Sequence, residues 1–421
     1  MEVNNISFKA KPNIFLNAAK NFITLKESSG NLSHVRFIQD SAIGLAPKAV
    51  FARSKADLAE NSFLELSESL LVYYAPSILG TKIFQKLYSK KLSPADAKQI
   101  ITPAAELLKN KNFNSNKQLL RIKAAISLGC LAIPVCEYSL SYIKNLFTLN
   151  FFKTGEFNTI ANLSKNKKTD EKINQNVKNN ALKHIKNAAL VYGGILASSL
   201  LLGLKGKNSK FLNNISEFIL APGSKLFKHN KNKADVVNKY FGLDFANKNG
   251  KLAMSNGQLT ACVLAGGFGY FGAAKDRGKQ NLLEVASTFP LVGFYIVCGN
   301  ELLEKGFRKF LYKNNYCKDV LDKNLSVLPM KKLESAAEKI AATTFKNKQE
   351  IYNKLLKQKA FISLVPFLFG IGVMGFFVVG MSRLFTKMRY QLSLKKQEKE
   401  KIIESQQKMI ISEKLSFKAL S

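Results

Sequence analysis

Hydrophobic and polar residues occur in separate blocks along this chain of 421 residues. The strongest apolar block is 360–381, AFISLVPFLFGIGVMGFFVVGM, and it contains no ionisable side chain. About 20 helical residues, rising about 1.5 Å each, cross a hydrocarbon layer roughly 30 Å thick. Lysine and arginine residues flank the block on both sides, where their long side chains reach lipid headgroups. The block therefore predicts a membrane-spanning helix.

Five other apolar blocks predict further spans with weaker patterns. The weakest begins at Ser54 and runs through SLLVYYAPSILG, because Glu65 and Glu68 lie in its early turns and Pro76 interrupts it. The others occupy 124–143, 188–204, 259–274 and 282–298. The last two are joined by a tight basic turn, which is typical of a helical hairpin. We therefore predict an all-α fold, a multi-span membrane bundle of about five or six transmembrane helices with Lys/Asn-rich connectors.

The same pattern divides the chain into seven segments. They are an N-terminal polar and amphipathic segment (1–61), the first membrane helices with basic connectors (62–204), a polar connector (205–256), a transmembrane helical hairpin (257–304), a polar helical connector (305–359), the strongest transmembrane helix (360–382) and a basic charged tail (383–421). Residues 12–26 have amphipathic spacing, which fits a helix on the membrane surface, a short helix packed on the protein, or a segment left disordered.

Basic residues near the ends of the spans bear on topology, because short basic loops usually face the cytoplasm. The turn 275–281 contains three basic residues, and the tail after the last block is also basic. Six spans with both termini inside satisfy both constraints, and five spans plus one interfacial helix are the alternative. We therefore expect an integral protein of the plasma (cytoplasmic) membrane with a cytoplasmic C-terminal tail.

The net charge of +35 raises the question of a nucleic-acid partner. Only seven of the 64 basic residues are arginines, whereas bidentate recognition of bases and phosphates favours arginine. The lysines are also spread over every polar connector instead of forming one patch. The pattern therefore favours solvated loops and anionic lipid headgroups over nucleic acid, and the expected partner is the lipid bilayer.

Small residues recur at helical spacing in two of the apolar blocks. Ala261, Ala265, Gly269 and Ala273 follow one another every four residues, and Gly194 and Ser198 form a second small-xxx-small pair. Small side chains let helix backbones approach closely within a membrane. These positions are therefore predicted helix-packing residues, for contacts within the bundle, with a protein partner, or with a second copy of the chain.

Glu137 is the main candidate site residue, because it lies inside the block 124–143, three residues after Pro134. A carboxylate within a span is costly, so it usually faces a bundle interior and serves as a proton relay or a cation contact. The alternative is a glutamate near the membrane interface, or one that is hydrogen-bonded for packing alone. Glu284 and Glu301, which bracket another block, fit interfacial positions.

No catalytic or metal-binding pattern accompanies these blocks. The five cysteines include no C-x-x-C pair and the three histidines are isolated in polar segments, so neither a metal site nor a cofactor is expected. The run from Gly267 to Gly272 formally matches G-x-G-x-x-G, but the turn that follows it cuts short the helix that dinucleotide binding requires. Motifs of hydrolases and P-loop proteins are also missing, so we do not expect an enzyme.

Three functions remain compatible with this pattern. The first is a structural or interaction protein, a scaffold or assembly factor held together by small-residue helix packing. The second is a transporter of ions or small solutes that uses Glu137 and helices bearing Pro76, Pro134, Pro290 and Pro366. The third is a membrane-embedded enzyme acting on lipid, which lacks a catalytic constellation. The first two differ in one feature, because in a transporter Glu137 lines a polar cavity together with other polar groups.

Overall fold

The computed structural model describes residues 11–29, 34–108, 117–164, 170–205, 210–248 and 251–419. Within these residues the fold is almost entirely helical, which confirms the predicted all-α class at this level. The helices of the N-terminal half are α1 (Lys11–Ser29), α2 (His34–Val50), α3 (Lys55–Pro76), α4 (Lys86–Ser89), α5 (Pro94–Gln99), α6 (Ala104–Leu107), α7 (Lys117–Cys130), α8 (Ala132–Phe152), α9 (Phe157–Ile160) and α10 (Glu171–Leu200). Two segments of wider, π-helical winding continue α3 and α10, namely π1 (Ser77–Gln85) and π2 (Leu201–Lys205).

The C-terminal half continues this helical pattern around one small hairpin. Its elements are α11 (Lys210–Leu220), α12 (Pro222–Leu226), α13 (Lys231–Phe241), β1 (Ala246–Lys248), β2 (Lys251–Ala253), α14 (Asn256–Asp276), α15 (Lys279–Phe294), π3 (Tyr295–Gly299), α16 (Asn300–Lys313), α17 (Met330–Thr344), α18 (Lys348–Phe369), π4 (Gly370–Phe377) and α19 (Val378–Ala419). The strands β1 and β2 pair in antiparallel fashion. The segment π3 joins α15 to α16, and π4 joins α18 to α19, so each forms one continuous helical rod.

Prolines lie at or near changes of helical winding. The α-helical winding of α3 ends at Pro76, as the sequence predicts, but the chain continues through π1 into α4 without leaving the helical path. Proline removes one backbone donor, and the π-helical winding that follows it carries the chain on without a break. Pro290 and Pro366 likewise lie inside α15 and α18, and each precedes a π-helical segment by a few residues.

Helix α8 is the centre of the bundle, packed between α3, α10 and α14. Gly269 of α14 lies against the backbone carbonyl of Tyr138, so closely that a Cβ atom at Gly269 would collide with it. Ala273 is buried one turn further on, and its carbonyl accepts a hydrogen bond of 3.0 Å from Asn145 Nδ2. Small residues of α14 thus allow its backbone to approach that of α8, as close helix packing requires.

The turn between α14 and α15 is short and sharply defined. The helix α14 ends at Asp276, and Gly278 has a φ of 114°, which L side chains rarely adopt. The next residue, Lys279, begins α15. The two helices therefore stand side by side with their connecting turn at one end of the bundle, where it brings Arg277 over the ends of α3 and α8.

A second apolar core lies between α1, α16, α17 and α18. The buried face of α1 consists of Leu16, Ala19 and Ile23, which matches the amphipathic spacing of this segment. Of the alternatives compatible with that spacing, the structure has the one in which the helix packs on the protein. The region that the sequence suggests is a polar connector, 305–359, thus contributes to a folded core.

Four helical stretches of the described residues are long and apolar enough to cross a membrane. They are Lys117–Phe152, Glu171–Leu204, Lys279–Lys313 and Lys348–Met409, and each contains one of the predicted blocks. The blocks at 259–274 and after Ser54 are not among them, since α14 is rich in glycine and α3 carries several glutamates. A bundle of five or six spans is therefore not confirmed. The most apolar part of Lys117–Phe152 is 78% buried in the protein, whereas that of Lys279–Lys313 is 11% buried.

Candidate functional site

A cavity of about 190 Å³ lies between α2, α3, α8, α14, α15 and α19. Ionisable side chains are frequent on its walls, although the helices around it are largely apolar. Six carboxylates line it, namely Asp57, Glu60, Glu65, Glu68, Glu137 and Glu284. Four basic side chains line it as well, namely Lys48, Arg53, Lys144 and Arg383. Because the acidic and basic groups are not mixed evenly, the cavity has two ends of different character.

One end, which we call the arginine end, is formed by Arg53, Asp57, Glu284 and Arg383. Arg53 precedes α3 and donates two hydrogen bonds to Glu284 of α15, of 2.7 and 2.9 Å. Its Nε also donates to Asp57 at 3.1 Å, and Arg383 Nη1 lies 3.2 Å from the same carboxylate. Bidentate pairs of arginine and carboxylate are among the stronger polar contacts in proteins. They join the start of α3 to α15 and α19.

Arg277 adds a buried ion pair to the arginine end, from the turn between α14 and α15. Its Nη2 donates to Glu60 Oε2 at 2.8 Å, and Thr148 donates a further hydrogen bond of 2.8 Å to the same oxygen. Glu60 lies outside the four candidate spans. Burial is the largest single influence on Glu60 and opposes ionisation of its carboxyl group, but Arg277, Lys144 and the hydrogen bond from Thr148 together outweigh it and lower the pKa of Glu60 to about 2. The pair ties α3 to the turn and remains charged at neutral pH.

The other end, which we call the carboxylate end, is formed by Glu65, Glu68 and Glu137 together with Lys48. Lys48 binds Glu65, and Tyr270 donates a hydrogen bond of 2.8 Å to Glu68 Oε2. Oε1 of Glu68 and Oε2 of Glu137 are buried and have no hydrogen-bond partner among the described residues. Lys144 of the same wall interacts with Glu68 as well as with Glu60, so three carboxylates stand near Lys48 and share Lys144 with the arginine end. This leaves an excess of negative charge in a place that water reaches poorly. Such an excess favours uptake of a proton or a cation.

The structure places the predicted site residue Glu137 in this wall, 7% exposed and on the central helix. Its side chain lies against Gly266 of α14, where an added Cβ atom would stand 3.1 Å from Glu137 Cγ. Absence of a side chain at Gly266 thus leaves room for the carboxyl group beside the cavity. The glutamate is neither at the end of α8 nor alone among packed apolar groups.

The predicted helix-packing residues lie in different environments. Gly269 and Ala273 are buried on the side of α14 that meets α8, whereas Ala261 and Ala265 are half-buried. Gly194 and Ser198 are exposed on α10, and a Cβ atom added at Gly194 would meet nothing within 4 Å. The role of the exposed pair in contacts with another molecule stays a prediction.

Several residues of the arginine end were not singled out by the sequence. The sequence places Arg277 among the three basic residues of the turn 275–281, yet it is 2% exposed and paired with Glu60. The sequence predicts an interfacial position for Glu284, whereas in the structure Glu284 binds Arg53 in the cavity wall. The signal in the sequence was the presence of both acidic and basic residues at the same ends of predicted helices. Which of them pair depends on contacts distant in sequence.

The histidine, cysteine and glycine positions of the described residues bear on metal and cofactor sites. No group of three or more histidine, cysteine, aspartate or glutamate side chains there is placed to hold a metal ion. All five cysteines are free. The glycines of the G-x-G-x-x-G match lie within the single helix α14, where they face Phe289, Tyr138 and Tyr142 instead of opening a phosphate-binding turn.

No family model, curated protein or solved structure matches the chain. The geometry of the charged cavity is therefore the basis for assigning a function.

Proposed function

We propose that this chain is a multi-pass membrane protein that moves protons together with a small cation, with the carboxylate end of the cavity as its binding and relay site. The observation that supports this proposal is the position of Glu137. It lines a polar cavity with Glu65, Glu68 and Lys48, which is the feature that separates a transporter from a scaffold. The transported ion crosses the membrane chemically unchanged.

Electrostatics supports this role for the carboxylate end. A buried carboxylate without a partner is costly, and membrane proteins retain such groups mainly along ion and proton pathways. The excess negative charge around Glu137 is neutralised when a proton or a cation binds there. At the arginine end, each carboxylate is already paired with an arginine. Binding of a proton or a cation therefore changes the net charge of the cavity most at the carboxylate end.

Flux through vesicles tests this proposal directly. The purified protein is reconstituted into vesicles containing pyranine, and proton influx is driven by a potassium gradient with valinomycin. We expect faster influx than in protein-free vesicles, and the Glu137→Gln variant is expected to return it to the protein-free level. Glu301→Gln is the matched control, because Glu301 also lies in a candidate span but binds Lys239 and Lys305 at the surface. Wild-type influx equal to that of protein-free vesicles would overturn the proposal.

The finer topology is part of the same proposal, with five or six spans in the plasma membrane and a cytoplasmic tail. On a cysteine-free background, single cysteines replace Lys231, Lys275 and Glu404, which are all exposed. We expect cysteines at 275 and 404 to react with an impermeant thiol reagent only from the cytoplasm, and a cysteine at 231 to react only from outside. Reaction of all three from one side contradicts this topology.

A scaffold is the second candidate function, and the exposed pair Gly194 and Ser198 favours it. Large apolar side chains of the same helix, Leu190 and Val191, are also more than half exposed. Such a surface suits a second helix in the membrane. Disulfide cross-linking of a Ser198→Cys variant on the cysteine-free background tests for a second copy, and we expect a covalent dimer if this surface is a homo-oligomeric contact.

A further inference from the structure

A second, smaller cavity of about 90 Å³ adjoins the carboxylate end. Glu65, Glu68 and Glu137 line both cavities, so these glutamates stand between them. Asp40 of α2 is a fourth carboxylate on the wall of the smaller cavity. Its described lining residues include no lysine or arginine, since Lys48 faces the larger cavity only. Four carboxylates and no described basic side chain therefore line the smaller cavity.

The remaining wall of the smaller cavity is mostly apolar. Its lining residues include Val72 and Tyr73 of α3, Leu259 of α14 and Val292 of α15. Val72, Tyr73 and Leu259 are buried in the main core. A hydrocarbon group fits such a wall, whereas a hydrated inorganic ion gains nothing from it. The aromatic ring of Tyr73 is also a suitable neighbour for a cationic head.

From these two walls we propose that the ligand of the carboxylate end is an organic ammonium ion with a short apolar body. The ammonium group binds the buried Oε2 of Glu137 and the free oxygen of Glu68, which lack partners among the described residues. Its hydrocarbon body occupies the smaller cavity between α3 and α15. An ammonium group has three donors and needs only one or two carboxylates, unlike a metal ion that requires a set of closely spaced ligands.

This inference rests on the proposed transport function, and it names the class of organic cation that binds the relay site in addition to the proton. Glu137 supplies charge-assisted hydrogen bonds to the ammonium head, which are stronger than those between neutral groups. The apolar wall selects against ions that have no hydrocarbon body. Together they predict that a primary alkylamine binds better than either an alcohol of the same length or a much shorter amine.

Binding to the purified protein in detergent tests this prediction without any need for transport. Calorimetric titration at neutral pH compares n-hexylamine with 1-hexanol and with methylamine. We expect hexylamine to bind at least about tenfold more tightly than either, because each control lacks one of the two contacts. Equal binding of hexylamine and hexanol would overturn the proposal, since it would show partition into micelles or apolar surface alone.

Two variants locate the site. Glu137→Gln is expected to weaken hexylamine binding by about tenfold or more, and Glu301→Gln to leave it unchanged. Val72→Phe places a larger side chain against the smaller cavity, which Val72 lines without lining the larger one, and is expected to weaken binding of hexylamine while the net charge stays the same. Size-exclusion chromatography and helical circular dichroism confirm folding of each variant. Unchanged hexylamine affinity in both folded variants would overturn the assignment.

The outcomes for transport and for the ligand are distinguishable. Proton flux that depends on Glu137, without binding of hexylamine, would overturn the ammonium assignment and leave the transport proposal standing. Hexylamine binding that depends on Glu137, without any flux, would support the binding site and overturn transport. Absence of both proton flux and hexylamine binding in the wild type would overturn both the transport proposal and the ammonium assignment.

Discussion

Helix α3 contributes to both the arginine end and the carboxylate end of the cavity. Buried charges are paired at the arginine end, whereas at the carboxylate end a buried carboxylate oxygen lacks a partner in the described part of the chain. Glu60 of the arginine end and Glu68 of the carboxylate end are eight residues apart, about 12 Å along the helix. Glu60 is satisfied by Arg277 and Thr148. Glu68 keeps one buried oxygen without a partner among the described residues. Paired charges hold elements together, whereas an excess of one sign is costly to keep and points to a ligand.

Removal of the guanidinium from the arginine end should produce the largest loss of stability. Arg277→Ala leaves Glu60 as an uncompensated buried charge, and we expect the free energy of unfolding to fall by about 3–5 kcal/mol. Unfolding in detergent, followed by circular dichroism, measures this loss. The double variant with Glu60→Leu and Arg277→Met is the control, since it replaces both charges with apolar groups and should recover much of the loss. A cost below about 1 kcal/mol for Arg277→Ala would show that the pair is not structural.

Acid should weaken the arginine end through Glu60. The pKa of this group is about 2 in the folded protein, below its ordinary value of 4.5. A lowered pKa means that the pair contributes its full stability above about pH 4.5 and loses it as the pH falls toward 2, a difference of about 3 kcal/mol. Melting temperatures of the wild type and of Glu60→Gln, measured from pH 6 down to pH 3, should therefore converge as the pH falls. A constant gap across that range would contradict the assignment.

The contact between α8 and α14 sets the distance between the walls of the carboxylate end. Gly269→Ala places a methyl group against the carbonyl of Tyr138, and we expect a loss of about 1–3 kcal/mol from overpacking. Gly194→Ala is the matched control, because nothing lies within 4 Å of its added Cβ atom. It should stabilise α10 slightly through helix propensity, by up to about 1 kcal/mol. Thermal unfolding of both variants measures this difference, and equal losses would show that Gly269 does not set the approach.

The helical class and the four strongest apolar blocks are predictable from the sequence, because hydropathy and length are local properties. The hairpin of α14 and α15 is likewise announced by two apolar runs and a short turn. Hydropathy does not identify α3 and α14 as spans, because the glutamates of α3 and the glycines of α14 lower it. Their place near the centre of the bundle depends on packing against α8, which is a property of the whole fold.

The two ends of the cavity differ in how visible they are in the sequence. Glu137 stands out because a lone carboxylate interrupts an apolar block. Arg277 and Glu284 lie near the ends of apolar blocks, where charged residues are ordinary, so their burial cannot be inferred from position. The pairing of Arg277 with Glu60 joins residues more than two hundred positions apart. Only the folded chain shows that one charged group is matched and another is not.

The same substitution at the two ends gives the most direct comparison and the smallest expected change. Glu60→Gln removes a paired charge and should cost stability, whereas Glu137→Gln removes a buried carboxylate whose Oε2 has no partner among the described residues. We expect the free energy of unfolding of Glu137→Gln to differ from that of the wild type by less than about 1 kcal/mol, or to rise, because an amide of nearly the same shape carries no charge to desolvate. Unfolding of both variants in the same detergent at neutral pH measures the contrast. A loss at Glu137 as large as that at Glu60 would mean that this carboxylate is a structural group, and the carboxylate end would then resemble the arginine end.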